Sequence, residues 1–245
     1  MDWLSLAITG LTVGLLLLLS RLQRKGPARL RPIPGLSRLY RAFGLSVEDG
    51  TRLLVSLGSR AFLTKDAGLS LAGLALLRRV AQKASLSDRP PVAVAGESVV
   101  GLLAQDTLQS GYRAAGAAEY FQPVSGRVAG LTPFSSAAAT MQILGDEDVS
   151  VATLIGNFGP EAGLLAEVAE RRGALLIGAT GDPGAQSILY ATSSESLIGE
   201  ELFAAPAYLV GEPVAVASLN VQDILRWLII LGLIAGVALK ILGLY

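Results

Sequence analysis

The chain has 245 residues, 20 acidic and 20 basic, with no histidine and no cysteine. Disulfides, zinc or haem held by His or Cys, and any mechanism that needs a histidine base are thereby excluded. It is 51% hydrophobic with a mean hydropathy of +0.53, above ordinary soluble usage, and the excess sits at the two ends.

The stretch from Leu4 to Ser20 has no charge, and Leu228 to Tyr245 has only Lys240. Each is long enough for a bilayer core, which needs about 20 helical residues with a lower limit near 17. The first is unlike a secretory signal. Asp2 precedes it, and Arg21, Arg24, Lys25, Arg29, Arg31, Arg38 and Arg41 follow with no acid before Val47. The positive-inside rule then predicts a two-pass inner or plasma membrane protein with both termini outside and the middle cytoplasmic. Arg226 and Trp227 would mark the inner interface, and Lys240 would snorkel to the outer one. Gly10 with Gly14, and Gly232 with Gly236, give each span a Gly-x-x-x-Gly pair of the kind that lets helices approach closely in lipid.

Charge is divided along the chain. Arg21 to Arg89 carries 14 Lys+Arg against 4 acids, and Pro90 to Asp223 carries 15 acids against 4 arginines. The basic part suits an anionic inner leaflet, or the acidic domain of another copy. Nucleic acid is not expected as a partner, since the folded part is acidic.

Residues 1–21 are thus a first membrane helix and 22–87 a basic juxtamembrane segment. Pro27, Pro32 and Pro34 break any continuing helix. From Ser37 to about Leu57, Leu36, Leu39, Tyr40, Phe43, Leu53, Leu54 and Leu57 have the spacing of one or two amphipathic helices, lying on the membrane or packed on the domain. Asp66 to Ala84 reads as a helix capped by Asp66. From Pro90 onward short apolar runs alternate with helical ones. Strands are expected at Val92–Ala95, in EYFQPVS as an edge demoted by Pro123, in VSVATLIG and in ALLIGAT. Helices are expected from Ser98 to Ala115, in FSSAAATMQILG, after Pro160, in PGAQSILYATS and in SLIGEELFAAPAYL. EPVAVASL reads as a last strand before a second membrane helix over 223–245. Continuous apolar strands between helices of 10–15 residues argue for a small, Rossmann-like, doubly wound, mostly parallel α/β domain over 88–222, between two transmembrane helices.

The loops that follow these strands are the candidate ligand site. In an open α/β sheet ligands bind beyond the carboxyl ends of the strands, against helix N-termini. Gly96, Glu97 and Ser98 lie there, as do Gly156, Asn157 and Gly159, and Gly178, Thr180, Gly181 and Asp182. LIGNFGPEAGLL and LIGATGDPGAQSIL repeat one pattern, but neither the dinucleotide fingerprint nor the P-loop occurs. Glu161 stands where it would repel phosphate, and Asp182-Pro183 is helix-starting grammar. Ser98 has neither a histidine nor a nearby lysine to activate it and reads as a helix cap. Asp146, Glu147 and Asp148 match no calcium loop and read as a solvated turn. No catalytic residue, metal or cofactor is assigned.

LLAQDTLQSGYRAAG, TLIGNFGPEAGLLAE and LIGEELFAAPAYLVGEP, followed by a membrane helix, resemble a bacterial family of membrane proteins classed only as a domain of unknown function. The resemblance runs from about Leu69 onward. It implies a membrane-anchored domain and no activity. The residues therefore favour a non-enzymatic scaffold that assembles with itself or with a neighbouring membrane protein. The alternative is a small-molecule or nucleotide sensor at the glycine loops. An enzyme would have to work through carboxylates such as Glu97 and Asp182.

Overall fold

The computed structural model describes residues 3–23, 33–60, 67–199, 201–209 and 213–241. It falls into two units, Pro32–Leu209 and the pair of terminal segments Met1–Arg31 with Val210–Tyr245. Pro27, Pro32 and the proposed Asp66 cap lie outside the described residues.

The terminal unit is built from α1 (Trp3–Gln23) and α9 (Pro213–Ile241), which pack on each other. Both are long and apolar enough to cross a membrane, and the apolar window of neither is buried. The half-buried residues of α1, Thr12, Leu15, Leu16, Leu19 and Ser20, recur three or four apart and form one stripe. Thr9 and Thr12 donate their hydroxyls to the carbonyls of Ser5 and Ile8, both at 2.8 Å. Their polar atoms are thus satisfied within the helix, as hydrocarbon requires. A Cβ on Gly10, Gly14, Gly232 or Gly236 would meet nothing within 4 Å. These glycines are not where α1 and α9 approach, and their faces remain open.

The central unit begins with α2 (Pro34–Glu48), then β1 (Arg52–Gly58), α3 (Ala67–Lys83), β2 (Val92–Ala95), α4 (Ser98–Ala114) and β3 (Gly126–Val128). Next come α5 (Pro133–Asp146), β4 (Val149–Asn157), α6 (Ala162–Arg171), β5 (Leu175–Thr180), α7 (Pro183–Thr192), β6 (Glu195–Ser196) and α8 (Glu201–Leu209). All strand pairs are parallel, in the order β3-β2-β1-β4-β5-β6. This is the doubly wound order, with its reversal between β1 and β4. Period-2 alternation feeds two cores. Leu53, Val55, Leu57, Val151, Ile155 and Ile177 face α2, α3, α4 and α8. Leu54, Val94, Ala152, Leu154 and Leu176 face α5, α6 and α7.

Four expectations are corrected. The stretch ending near Leu57, read as helical, holds the central strand β1. Its leucines mimic helical spacing, yet Leu53-Leu54-Val55-Ser56-Leu57 is buried throughout, and a strand covered on both faces shows no polar alternation. Residues 34–83 therefore belong to the α/β unit, and α2 packs on it through Leu36, Leu39 and Phe43. EYFQPVS forms two short 3-10 turns, at Ala118–Tyr120 and Pro123–Ser125, and the edge strand follows at Gly126. EPVAVASL is not a strand: Pro213 opens α9, whose helix continues through the apolar run.

The charge division is used inside this unit. Arg38 pairs with Glu195 at 2.5 Å and Arg89 with Asp148 at 3.1 Å; Arg52 pairs with Glu147 and Arg60 with Asp182. All four join the basic stretch to the acidic one. Glu147 also takes Arg127 at 2.5 Å, so the acidic turn is an arginine-clamped corner beneath the sheet.

Helix α3 crosses the sheet so closely that a Cβ on Gly73 would lie 2.6 Å from the carbonyl oxygen of Ile155 and 2.8 Å from Leu57 Cδ2. Gly73→Ala gains about 1 kcal/mol of helix propensity but overpacks this crossing by about 1–3 kcal/mol. A net loss of stability is expected in thermal unfolding of the full chain in detergent; a gain would show that α3 does not sit this close.

Burial pushes the Glu147 carboxyl upward, and Arg127 and Arg52 outweigh it, so its pKa is lowered. A lowered carboxylate pKa contributes stability above its unfolded value, lost as pH falls through the folded one. Glu147→Gln should therefore lower the melting temperature at neutral pH, and the gap from the unmodified chain should close as the pH falls through the lowered pKa of Glu147.

Candidate functional site

The carboxyl ends of β1 and β4 are the reversal point of the sheet, where this topology holds ligands. The backbone there is crowded by the protein itself. A Cβ on Gly58, which has φ +86°, would lie 2.6 Å from Asn157 N. One on Gly156 would lie 2.1 Å from the Leu57 carbonyl oxygen. These two glycines let β1 and β4 close on each other. Asn157 is buried, and its carbonyl accepts from Ser59 N–H at 3.2 Å.

The space above them holds an internal carboxylate. Glu161 starts α6, but its side chain turns back and is almost fully buried. Oε1 accepts from Gly159 N–H at 2.8 Å and from Ser59 Oγ at 3.0 Å. A Cβ on Gly159 would lie 2.6 Å from Arg60 Nη2 and 2.7 Å from Glu161 Oε2. Arg60 in turn reaches Asp182 Oδ2 at 3.3 Å. Backbone N–H, serine hydroxyl and guanidinium are the donors that would greet an anionic ligand. Here the N–H and the hydroxyl are turned to the chain's own Glu161, and the guanidinium to its own Asp182.

The neighbouring loops are also tied down. Thr180 Oγ1 donates to the Phe158 carbonyl at 3.3 Å and accepts from Phe158 N–H at 3.2 Å, locking the β4 and β5 exits together. Asp182 caps α7, accepting from Ala185 N–H at 3.0 Å, with Pro183 at the first helical position. That N–H, with Arg60, holds its carboxyl below the usual range against a smaller effect of burial. Cβ atoms on Gly178 and Gly181 would strike Leu189 and Leu69, at 2.9 and 2.7 Å. At the end of β2, a Cβ on Gly96 would strike Ser59 and Ser136, each at 2.7 Å.

Ser98 is not the cap of α4. Glu97 is, accepting from Val100 N–H at 3.0 Å, and Ser98 is the exposed first residue of the helix. Glu97 follows β2 and Asp182 follows β5, with β1 and β4 between them. Three strand spacings separate their strands by about 14 Å, so the two do not form a carboxylate pair. Among the described residues no cluster of His, Cys, Asp or Glu is arranged to hold a metal.

The structure thus gathers Gly156, Asn157, Gly159, Thr180, Gly181 and Asp182 around the β4–β5 exits, with Gly178 further back within β5, beside Leu154. Gly96, Glu97 and Ser98 lie on the far side of β1. Ser59 and Arg60 were missed because β1 was missed; a Gly-Ser-Arg following a buried apolar run was the available signal.

The model of one family, a domain of unknown function (DUF6754), matches residues 2–245. The chain belongs to the DUF6754 family. The match takes in both apolar helices and the α/β unit, a longer span than the resemblance from Leu69 implied. None of the curated proteins and none of the solved structures matches this DUF6754 chain.

Glu161→Ala leaves Gly159 N–H and Ser59 Oγ without their acceptor in a buried place and should cost about 1–3 kcal/mol. Glu161→Gln keeps the shape and one acceptor and should cost less. Equal melting temperatures for both variants and the unmodified chain would show that the carboxylate is not held as described.

Proposed function

We propose that this chain is a membrane-anchored α/β module that works by assembly and not by catalysis. Helices α1 and α9 would hold it in an inner or plasma membrane, with the α/β unit in the cytoplasm and self-association as its mode of action. The carrying observation is Glu161: the Ser59 hydroxyl and the Gly159 N–H at the reversal point of the sheet both donate to this side chain of the same molecule. The glycines of the strand exits are accounted for by contact with neighbouring protein atoms. The cytoplasmic orientation is supported by the basic residues after α1, and by Arg226 and Trp227 near the start of the apolar run of α9. Gly10, Gly14, Gly232 and Gly236 have open faces, available to helices of other copies.

A second reading keeps the same loops as a sensor for a small anionic molecule or nucleotide. Its support is the strand order, which brings those loops to the crevice that binds nucleotides in doubly wound sheets. A ligand would have to displace the Glu161 carboxylate from Ser59 and Gly159.

Native mass spectrometry of the full chain released from mild detergent separates the two. A defined oligomer without adduct is expected. A stoichiometric nucleotide-sized adduct that is lost in Arg60→Ala would establish the sensor and overturn the assembly reading.

A further inference from the structure

The sheet has two edges, and the chain treats them differently. Strand β6 is two residues long, and its Glu195 is paired with Arg38 from α2. A Cβ on Gly35 would lie 3.2 Å from Leu197 Cδ2, so α2 covers this edge. Charge and cover are the usual protection of an edge strand.

Strand β3 has them at its start alone: Arg127 is turned to Glu147, and Gln105 of α4 donates to the Gly126 carbonyl at 3.1 Å, so the protection stops at Val128. Among the described residues it pairs only with β2, through Ala93↔Gly126, Val94↔Arg127 and Ala95↔Val128. Ala129 N–H donates to the Ala95 carbonyl at 2.9 Å. In a parallel ladder alternate residues bond to the same side, so the N–H and C=O of Val128 point away from β2. The surrounding side chains are apolar and exposed. Leu102 on α4 is 68% exposed, Leu131 72% and Phe134 63%, and Val124 and Val128 are exposed beside them. Val128 touches α4, since a Cβ on Gly101 would come 2.4 Å from its Cγ2. Helix α4 lies on one face of the sheet and α5 on the other, so both layers carry apolar surface to this edge. No Asp, Glu, Lys or Arg occurs from Ser98 to Gln105 or from Val128 to Gly145.

We propose that the β3 edge is a self-association surface on which a second copy of this chain docks about a two-fold axis. The β3 strands meet antiparallel, the Val128 peptide groups find partners across the axis, and Leu102, Leu131 and Phe134 cover the seam. This rests on the assembly reading and names its surface. An edge is self-complementary under two-fold rotation, because each strand presents the same donors and acceptors to its copy. The patch offers on the order of 500 Å² per protomer, near the upper end of what monomers leave exposed. With its polar rim it approaches the roughly 800 Å² per partner of a stable interface. A lipid surface suits it less well: hydrocarbon gives the Val128 peptide groups no partner, and the cation beside it, Arg127, is already engaged by Glu147 instead of being free for anionic headgroups.

The test uses the full chain in mild detergent, comparing the unmodified chain, Leu131→Asp/Phe134→Asp and Gly232→Leu/Gly236→Leu by native mass spectrometry over a concentration series. Both residues of the first variant are exposed, so its fold is expected to persist, with an unchanged melting temperature as the check. Its self-association should weaken by at least about thirty-fold, as loss of a central apolar contact implies. An unchanged subunit count in that variant, with dissociation in the glycine variant, overturns this inference and leaves assembly through the membrane helices. A chain that is monomeric in every form overturns both. A subunit count unchanged in both variants also overturns the proposal. Because the chain has no cysteine, Leu131→Cys with a short bis-maleimide reads the geometry independently of folding losses. A cross-linked dimer is expected, and its absence where a dimer exists overturns the β3 seam.

Discussion

Strand β1 is the constraint on which the α/β unit depends. It pairs in parallel with β2 on one side and β4 on the other, so removing it would leave two separate half-sheets. Leu53, Val55 and Leu57 feed one core, and Leu54 feeds the other. Parallel strands buried on both faces have no solvent side to accommodate error, so the register of β1 fixes both layers at once. The close approach of Gly58 to Asn157 and of Gly156 to Leu57 carries that register to the end of the sheet.

The same strand organises the electrostatics. Arg52 opens β1 and meets Glu147; Arg60 follows β1 and meets Asp182. One arginine thus works beneath the sheet and one above it. The neighbouring pairs Arg38–Glu195 and Arg89–Asp148 extend the pattern. A basic first half and an acidic second half read as two surfaces along the chain, yet they interleave in the fold. Most of these pairs are partly exposed, so their worth lies more in selecting the arrangement than in stability.

At the reversal point the fold has the order of a nucleotide-binding sheet with a different occupant. Doubly wound sheets gather helix N-termini and free N–H groups above the β1–β4 gap whether or not a ligand is present. Those donors must be satisfied, by ligand, water or protein. Here the nearest of them donate to Glu161. The topology therefore describes a scaffold, and the chemistry of the site must be read from its side chains.

The sequence by itself determined the class of the molecule. Two long apolar runs, continuous apolar strands at Val92, Val149 and Leu175, and helix starts such as Asp182-Pro183 are local signals, and each is decided within a few residues. It also excluded histidine and cysteine chemistry outright. Tertiary structure decided what depends on distant partners. Leu53–Leu57 is a strand because β2 and β4 pair with it, although its leucines alone fit a helix. Val214–Leu219 is helical because it is the first part of α9, which Pro213 opens and the apolar run continues. Glu97, not Ser98, caps α4, because its longer side chain reaches Val100 N–H. Glu161 and Ser59 are 102 positions apart and meet through the β1–β4 pairing, so no local pattern could reveal that the crevice carries its own anion.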